Sequence, residues 1–177
     1  MRHASPDSHR AMKKNQLSSL RVLIVDDEKP IRQLVTDILI RLGFKDITVA
    51  TSGRQAIELA SEHEFDFIIT DWCIPDMDGI EIVRFMRSSP RARRPMTPVI
   101  MLTGNTEAKY VITALNAGVN GYVIKPFSAA QLIARIRAII EHPRPFIVAS
   151  SYRGPDRRHS DKPAPNGTER RKRRRRK

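Results

Sequence analysis

Short apolar runs recur along the chain, and four of them end in a polar residue. Arg21 to Val25 runs into Asp26-Asp27, Phe67 to Thr70 into Asp71, Val99 to Leu102 into Thr103, and Tyr122 to Ile124 into Lys125-Pro126. Runs of this length without polar alternation fit strands buried on both faces, as in a parallel sheet. Between them the apolar period becomes helical. Ile31, Leu34, Val35, Ile38, Leu39 and Leu42 share one helical face, with Pro30 in the first turn and Gly43 at the end. Ile47 to Ala50 reads as a short strand, and Ser52-Gly53 opens a helix carrying Ala56, Ile57, Leu59 and Ala60. Gly79 leads into a helix with Ile80, Ile82, Val83, Phe85 and Met86. The segment from Ser88 to Pro98 holds Pro90, Pro95, Pro98 and three arginines, which predicts a loop. Further helices are predicted from Glu107 to Ala117 and from Ser128, as N-cap, to Glu141. Phe146 to Ser150 reads as a short extended segment.

Five successive strand–helix units predict one α/β domain, a parallel sheet with helices on both faces. In such open sheets ligands bind outside the carboxyl ends of the strands. Three carboxylates, a hydroxyl and an ammonium would therefore meet on one edge. Asp26, Asp27 and Asp71 suit Mg²⁺, which takes carboxylate, water and phosphate oxygens. One of the three could instead be a nucleophile forming an acyl phosphate. Lys125 and the Thr103 hydroxyl could then neutralise the transferred group. No Gly-rich phosphate loop of the Walker type is present, so ATP is not expected as direct substrate. The competing reading makes the acids strand-end caps and solvated loop residues. Asp76 and Asp78 are better explained by the turn before Gly79 than by metal binding. The five histidines show no ligand spacing, and His3, His9 and His159 lie towards the ends.

The order and spacing of these pieces resemble the receiver domain of two-component response regulators from about Arg21 to Glu141. The resemblance is carried by Val25-Asp26-Asp27, by Asp71 followed by Ile74-Pro75-Asp76-Met77-Asp78-Gly79, by Met101-Leu102-Thr103-Gly104, and by Gly121-Tyr122-Val123-Ile124-Lys125-Pro126-Phe127. It implies a flavodoxin-like, doubly wound five-stranded sheet of order 2-1-3-4-5. It also implies that Asp71 accepts a phosphoryl group from a histidine kinase or histidine phosphotransferase. Asp26, Asp27, Asp71 and the backbone carbonyl of Cys73 would hold Mg²⁺. Thr103 and Lys125 would contact the phosphoryl oxygens, and Lys125–Pro126 would be a cis peptide. Thr103 and Tyr122 would form the switch, changing the surface of the fourth helix, fifth strand and fifth helix for an effector protein. The bland alternative for Tyr122 is a packed strand aromatic. Cys73 and Asn105 occupy positions where receivers vary, which tunes water access to the phosphoryl group; redox sensing by Cys73 is a weaker alternative. Such a protein is a signalling phosphoacceptor rather than an enzyme, catalysing only its own phosphotransfer and dephosphorylation.

Charge adds a second theme. The chain of 177 residues carries a formal +13, but about +3 belongs to residues 1–19 and about +9 to residues 152–177. The body is close to neutral. This divides the chain into a polar N-terminal extension (1–19), a receiver domain (20–142) and a Pro/Arg/Lys-rich tail (143–177), with both ends expected to be disordered. Gly154-Pro155-Asp156-Arg157-Arg158 recurs loosely as Gly167-Thr168-Glu169-Arg170-Arg171, by chance or as a repeated docking element. The run Arg170 to Lys177 could bind nucleic acid, anionic lipid or an acidic protein, or have no fixed partner. A single cysteine, no apolar stretch of membrane-spanning length and a polar N-terminus predict a cytoplasmic protein. The tail resembles those of stand-alone receivers, so the chain reads as a response regulator acting through protein contacts. The alternatives are a nucleic-acid-associated regulator using its basic tail, and a phosphate sink without effector.

Overall fold

The five short apolar runs pair side by side as parallel strands: β1 (Arg21–Val25), β2 (Asp46–Ala50), β3 (Phe67–Asp71), β4 (Val99–Thr103) and β5 (Gly121–Ile124). The computed structural model describes residues 17–149 and 151–157. Strand order is β2-β1-β3-β4-β5, the doubly wound α/β arrangement expected from the resemblance. Register is fixed by Val22 opposite Phe67, Ile68 opposite Val99 and Ile100 opposite Gly121.

Strand pleating sends alternate residues to opposite faces. Val22, Ile24, Phe67, Ile69, Ile100, Leu102 and Val123 pack against α1 (Lys29–Leu42) and α5 (Ala129–Glu141), meeting Val35, Leu39, Leu132 and Ile136. Leu23, Val25, Ile68 and Met101 pack against α2 (Gly53–Glu62), α3 (Gly79–Ser88) and α4 (Ala108–Ala117). Both faces are covered, so the sequence of the central strands had no polar face to show. The helix boundaries follow local chemistry. Pro30 sits in the first turn of α1, and Gly43 ends it with its N–H bonded to the carbonyls of Ile40 and Leu39. Ser52 caps α2, and Ser128 with Gln131 forms a capping box on α5. No helix among the described residues is long and apolar enough to cross a membrane.

The segment after α5 departs from the expected disordered tail. Phe146–Ala149 (β6) and Tyr152–Pro155 (β7) form an antiparallel hairpin against the body. Phe146 and Ile147 supply apolar surface, the Tyr152 hydroxyl donates to the Pro155 carbonyl at 2.8 Å, and Gly154 and Pro155 are buried. Only part of the basic composition signalled disorder; the apolar run at 146–149 and the Gly-Pro pair have surface to bury. Residues 1–16 and 158–177, including the repeat at 167–171 and the run from Arg170 to Lys177, lie outside the described residues.

Arg87 ties this hairpin to the domain. Its side chain is buried, and all five guanidinium N–H groups have acceptors. Nε and Nη2 donate to the Gly118 carbonyl at 3.1 and 2.9 Å, and Nη1 donates to those of Pro95 and Thr97 at 2.7 and 2.8 Å. Nη2 also reaches Asn120 Oδ1 at 3.2 Å, and the guanidinium lies 5.2 Å from the Phe146 ring centroid. Burial pushes its pKa down to about 10, partly offset by Tyr152, which leaves it charged at neutral pH. One side chain thus joins α3, the loop before β4, the end of α4, the start of β5 and the hairpin. Gly118 (φ 98°) completes the junction, because a Cβ there would fall 2.6 Å from the Arg153 carbonyl oxygen.

Replacing Arg87 by Ala leaves several buried carbonyls without donors, each costing on the order of 1–3 kcal/mol before relaxation. The expected loss in a urea melt is about 3 kcal/mol. Amide exchange should accelerate first in residues 146–155, and Arg87→Lys should rescue little because it lacks the planar fork. Unchanged exchange in the hairpin of Arg87→Ala would remove Arg87 from this role.

Candidate functional site

The polar residues at the strand ends are sorted by the same pleat that sorts the core. Asp71 has the parity of Phe67 and Ile69 on the α1/α5 face, and Asp26 that of Val22 and Ile24. Thr103 has the parity of Val99 and Met101 on the opposite face, where Tyr122 also packs. One edge therefore presents charged groups to one side and the Thr103–Tyr122 pair to the other.

Asp26 is fully buried, Asp71 nearly so, and Asp27 exposed. Their carboxylates offer oxygens that all lie within 4.8 Å of one another. Lys125 enters this group from the loop after β5. Its Nζ lies 3.0 Å from Asp26 Oδ2, 3.1 Å from Asp71 Oδ1 and 3.3 Å from Glu28 Oε1. The Lys125–Pro126 peptide is cis. Asp26 Oδ1 accepts the Glu28 N–H at 2.8 Å, and its main-chain carbonyl accepts from Arg32 at 2.9 Å. Asp71 Oδ1 accepts the Trp72 N–H at 2.8 Å as well as facing Lys125. Asp71 Oδ2 has no hydrogen-bond partner among the described residues. Thr103 is buried, and its Oγ1 accepts the Asn105 N–H at 3.0 Å.

Electrostatics follow from this packing. Burial pushes the Asp71 carboxyl up, more than the Lys125 ammonium pulls it down, and the Asp26 charge adds to the rise. Burial alone would lower Lys125, but its hydrogen bond to Asp26 and the charges of Asp71 and Asp26 outweigh this and raise it. Four carboxylates (Asp26, Asp27, Glu28, Asp71) against one ammonium leave a formal excess of three negative charges. Oxygen donors at this spacing and charge fit a hard divalent cation such as Mg²⁺, with Asp26, Asp27 and Asp71 as its carboxylate ligands.

Neighbouring residues frame the site. Gly79 donates its N–H to the Trp72 carbonyl at 2.8 Å, and a Cβ at Gly79 would lie 2.0 Å from the Asp71 carbonyl oxygen. Only glycine fits there. Asp76 points away from the acids and caps α2, accepting the N–H groups of Gly53 and Arg54 at 2.8 and 2.9 Å. Those bonds hold its carboxyl below the usual range, Arg54 contributing most. Cys73 is an exposed free thiol pushed up by partial burial and by the acids around it, Asp71 first, so a reactive thiolate is disfavoured. Trp72, the sole tryptophan, packs edge-on against Tyr110 of α4 at 5.5 Å between centroids. Sequence reasoning passed over Glu28, Arg32 and the Trp72 N–H. Glu28 was visible as the third acid of the run Asp26-Asp27-Glu28; the other two contacts required the fold.

Three comparisons bear on this geometry. The family model for the response regulator receiver domain matches residues 22–137. Chemotaxis protein CheY-3 of Vibrio cholerae is 37% identical over 123 residues, covering 70% of this chain and 93% of that protein. Chemotaxis protein CheY of Pseudomonas aeruginosa is 38% identical over 122 residues, covering 69% and 97%. Among solved structures, chemotaxis response regulator CheY4 of Vibrio cholerae has a TM-score of 0.62 at 32% identity, covering 68% of this chain and 98% of its own. The receiver domain of sensor histidine kinase PA1611 from Pseudomonas aeruginosa, solved with a magnesium ion in its active-site cleft, has a TM-score of 0.60 at 30% identity, covering 69% and 98%. The residues matched by the family model stop at 137, short of the hairpin.

The raised Asp71 carboxyl has a measurable consequence in divalent-free buffer. A carboxyl whose folded pKa exceeds its unfolded value of 3.8 favours the folded state fully only below that value, and this is lost as pH rises through the folded pKa. Asp71→Asn lacks this loss. Its stability relative to wild type should therefore increase from pH 3 upward and level off above the folded pKa of Asp71. A difference that stays flat in pH-dependent urea melts would contradict the assignment.

Proposed function

We propose, for a chain that belongs to the response regulator receiver domain family and is a two-component response regulator, that Asp71 is its phosphoacceptor. The observation that carries this reading is the asymmetry of the Asp71 carboxylate. Oδ1 is held by the Trp72 N–H and Lys125, while Oδ2 keeps its lone pairs free. A histidine kinase or histidine phosphotransferase would present a phosphohistidine at this edge. Asp71 Oδ2 attacks phosphorus, the P–N bond breaks, and the imidazole leaves with the electron pair as an acyl phosphate forms on Asp71.

The chain's own residues orient and stabilise that group. Lys125, already 3.1 Å from Asp71 Oδ1, pairs with a phosphoryl oxygen, and the Thr103 hydroxyl donates to another. Asp26 stays buried and fixes Lys125 from the other side. Mg²⁺, held by Asp26, Asp27, Asp71 and the Cys73 carbonyl, supplies charge neutralisation at the phosphoryl oxygens when bound. Hydrolysis of the acyl phosphate returns Asp71 to its starting state, with Cys73 and Asn105 flanking the path of water.

Phosphorylation adds about −1.5 to −2 charges and three acceptors, which draws Thr103 and Lys125 towards Asp71. Thr103 lies on the same sheet face as Tyr122, so its movement opens space into which the half-buried Tyr122 turns. The changed surface is that of α4, β5 and α5. It carries exposed Ile112 and Ile124 and a groove of about 520 Å³ lined by Tyr122, Ile124, Gln131, Ala134 and Arg135. An effector protein with an apolar contact segment suits this face.

Phosphoryl transfer from a histidine kinase or a small acyl phosphate should label wild type and leave Asp71→Asn unlabelled. Chelation of divalent ions should abolish labelling, and Lys125→Ala should slow it by about two orders of magnitude. Equal labelling of wild type and Asp71→Asn would end the proposal. Metal binding can be read separately through the indole of Trp72, the residue next to Asp71, whose main-chain N–H bonds to Asp71. Mg²⁺ should change its emission saturably in wild type, with an apparent affinity at least tenfold weaker in Asp26→Asn; an identical titration in both would exclude Asp26 as ligand.

A further inference from the structure

The hairpin does more than lengthen the domain, because it closes one wall of a cavity of about 400 Å³. The opposing walls are the ends of α3 and α4. Arg84, Arg87 and Arg153 line the cavity, with the hydroxyl groups of Ser88, Thr113 and Tyr152. Among the described residues no carboxylate lines it. Arg84 and Arg153 form no ion pair among the described residues, and the buried charge of Arg87 is met only by neutral oxygen acceptors. At the rim, Arg157, stacked 4.1 Å from the Tyr152 ring and bonded to Asn116, adds a fourth cation that the neighbouring Asp156 offsets.

The bland explanation is that these arginines complement the helix C-termini at which they sit. Magnitudes argue against it as a full account. Each helix end carries roughly half a negative charge, so α3 and α4 together offset about one of the three lining cations. Roughly two positive charges remain, in a concavity whose hydroxyl groups already donate to main-chain carbonyls. That is a demand for a multiply charged anion. The exposed guanidinium groups of Arg84 and Arg153, backed by the charge of Arg87, match the oxygens of a phosphate better than a single carboxylate. The volume falls at the small end of the roughly 300–1,000 Å³ usual for small-molecule sites.

From this we infer that the cavity between α3, α4 and the hairpin binds a small phosphate monoester, from sugar-phosphate to mononucleotide size, at a second site remote from the acidic strand edge. Arg84 and Arg153 contact the phosphate. Arg87 contributes long-range charge, since its N–H groups are all engaged, and Tyr152, whose hydroxyl donates to Pro155, offers a ring edge to the rest of the ligand. The site uses the hairpin, so it is a property of this chain beyond the residues it shares with the receiver family. It does not depend on phosphorylation of Asp71.

The test is a titration of the full-length, isotope-labelled chain with AMP and with inorganic phosphate, free of divalent ions so that the acidic edge takes no phosphate. Saturable amide shifts at Ser88, Thr113, Asn116 and Tyr152 are expected with AMP, and the same shifts at higher concentration with phosphate. Arg84→Gln/Arg153→Gln, both exposed positions, should weaken AMP at least about tenfold, equivalent to roughly 1.4 kcal/mol, while Asp71→Asn leaves it unchanged. The single variants serve if the double variant loses its native spectrum. Absence of shifts at about 10 mM of either probe, shifts confined to residues outside the cavity, or unaltered affinity in the arginine variants would overturn the assignment. So would binding lost equally in Asp71→Asn, which would place the ligand at the acidic edge.

Discussion

The ammonium of Lys125 is what allows the acidic edge to exist. Two carboxylates with oxygens within 4.8 Å of each other repel by at least roughly 3 kcal/mol at an effective dielectric constant of 20, and Asp26 has no exposure to water with which to reduce this. Lys125 bridges Asp26 and Asp71 at 3.0 and 3.1 Å, and each contact is attractive by about 5 kcal/mol on the same scale. The bridge offsets the repulsion but not the whole charge, because Asp27 and Glu28 remain. The residual excess is what a bound cation would offset, as the oxygen donor set permits. Stability and reactivity at this edge are therefore coupled: what lowers the repulsion in the resting state is also what the proposed phosphorylation of Asp71 would recruit.

Most of that edge was legible in the chain because strand ends are punctuated. Asp26, Asp71, Thr103 and Lys125 each follow an uninterrupted apolar run, and the parallel topology leaves no freedom about which end of the sheet they share. The pleat then decides finer placement, which requires knowing where each strand begins: Thr103 and Asp71 are both strand-end residues yet face opposite layers. Glu28 was visible as the third acid of a run, but only the fold reveals its contact with Lys125. Asp76 reads as a turn residue in the sequence, and only the fold reveals that it caps a helix twenty-odd residues upstream.

The hairpin shows the opposite limit. Its residues look like the start of a basic, Pro-rich tail, since composition is averaged over a window and Arg and Pro dominate the window from 143 onward. What orders it is a non-local contact: Gly154 against Gly118, with a hypothetical Cβ on Gly154 only 2.7 Å from the Gly118 Cα, and Phe146 over Arg87. Arg87 itself sits in an otherwise ordinary amphipathic helix. A charged residue on the buried face of α3 was the available signal, since an arginine at an apolar position must find either a carboxylate or a set of carbonyls. Here it finds carbonyls, and those belong to two segments, the loop before β4 (Pro95 and Thr97) and the turn after α4 (Gly118).

The two charged centres explain each other's composition. Acids collect at the carboxyl ends of the strands, and arginines without acid partners collect where α3 and α4 end, beside the hairpin. Had Arg84 or Arg153 lain near the acidic edge, it would have competed with Lys125 for Asp26 and Asp71 and weakened the demand for a metal. Had an acid lined the hairpin cavity, it would have neutralised Arg87 and removed any demand for an anion. The apolar sheet keeps the two sets apart, so neither quenches the other. The near-neutral body charge thus conceals a separation, and each end keeps an unbalanced charge that a ligand can satisfy.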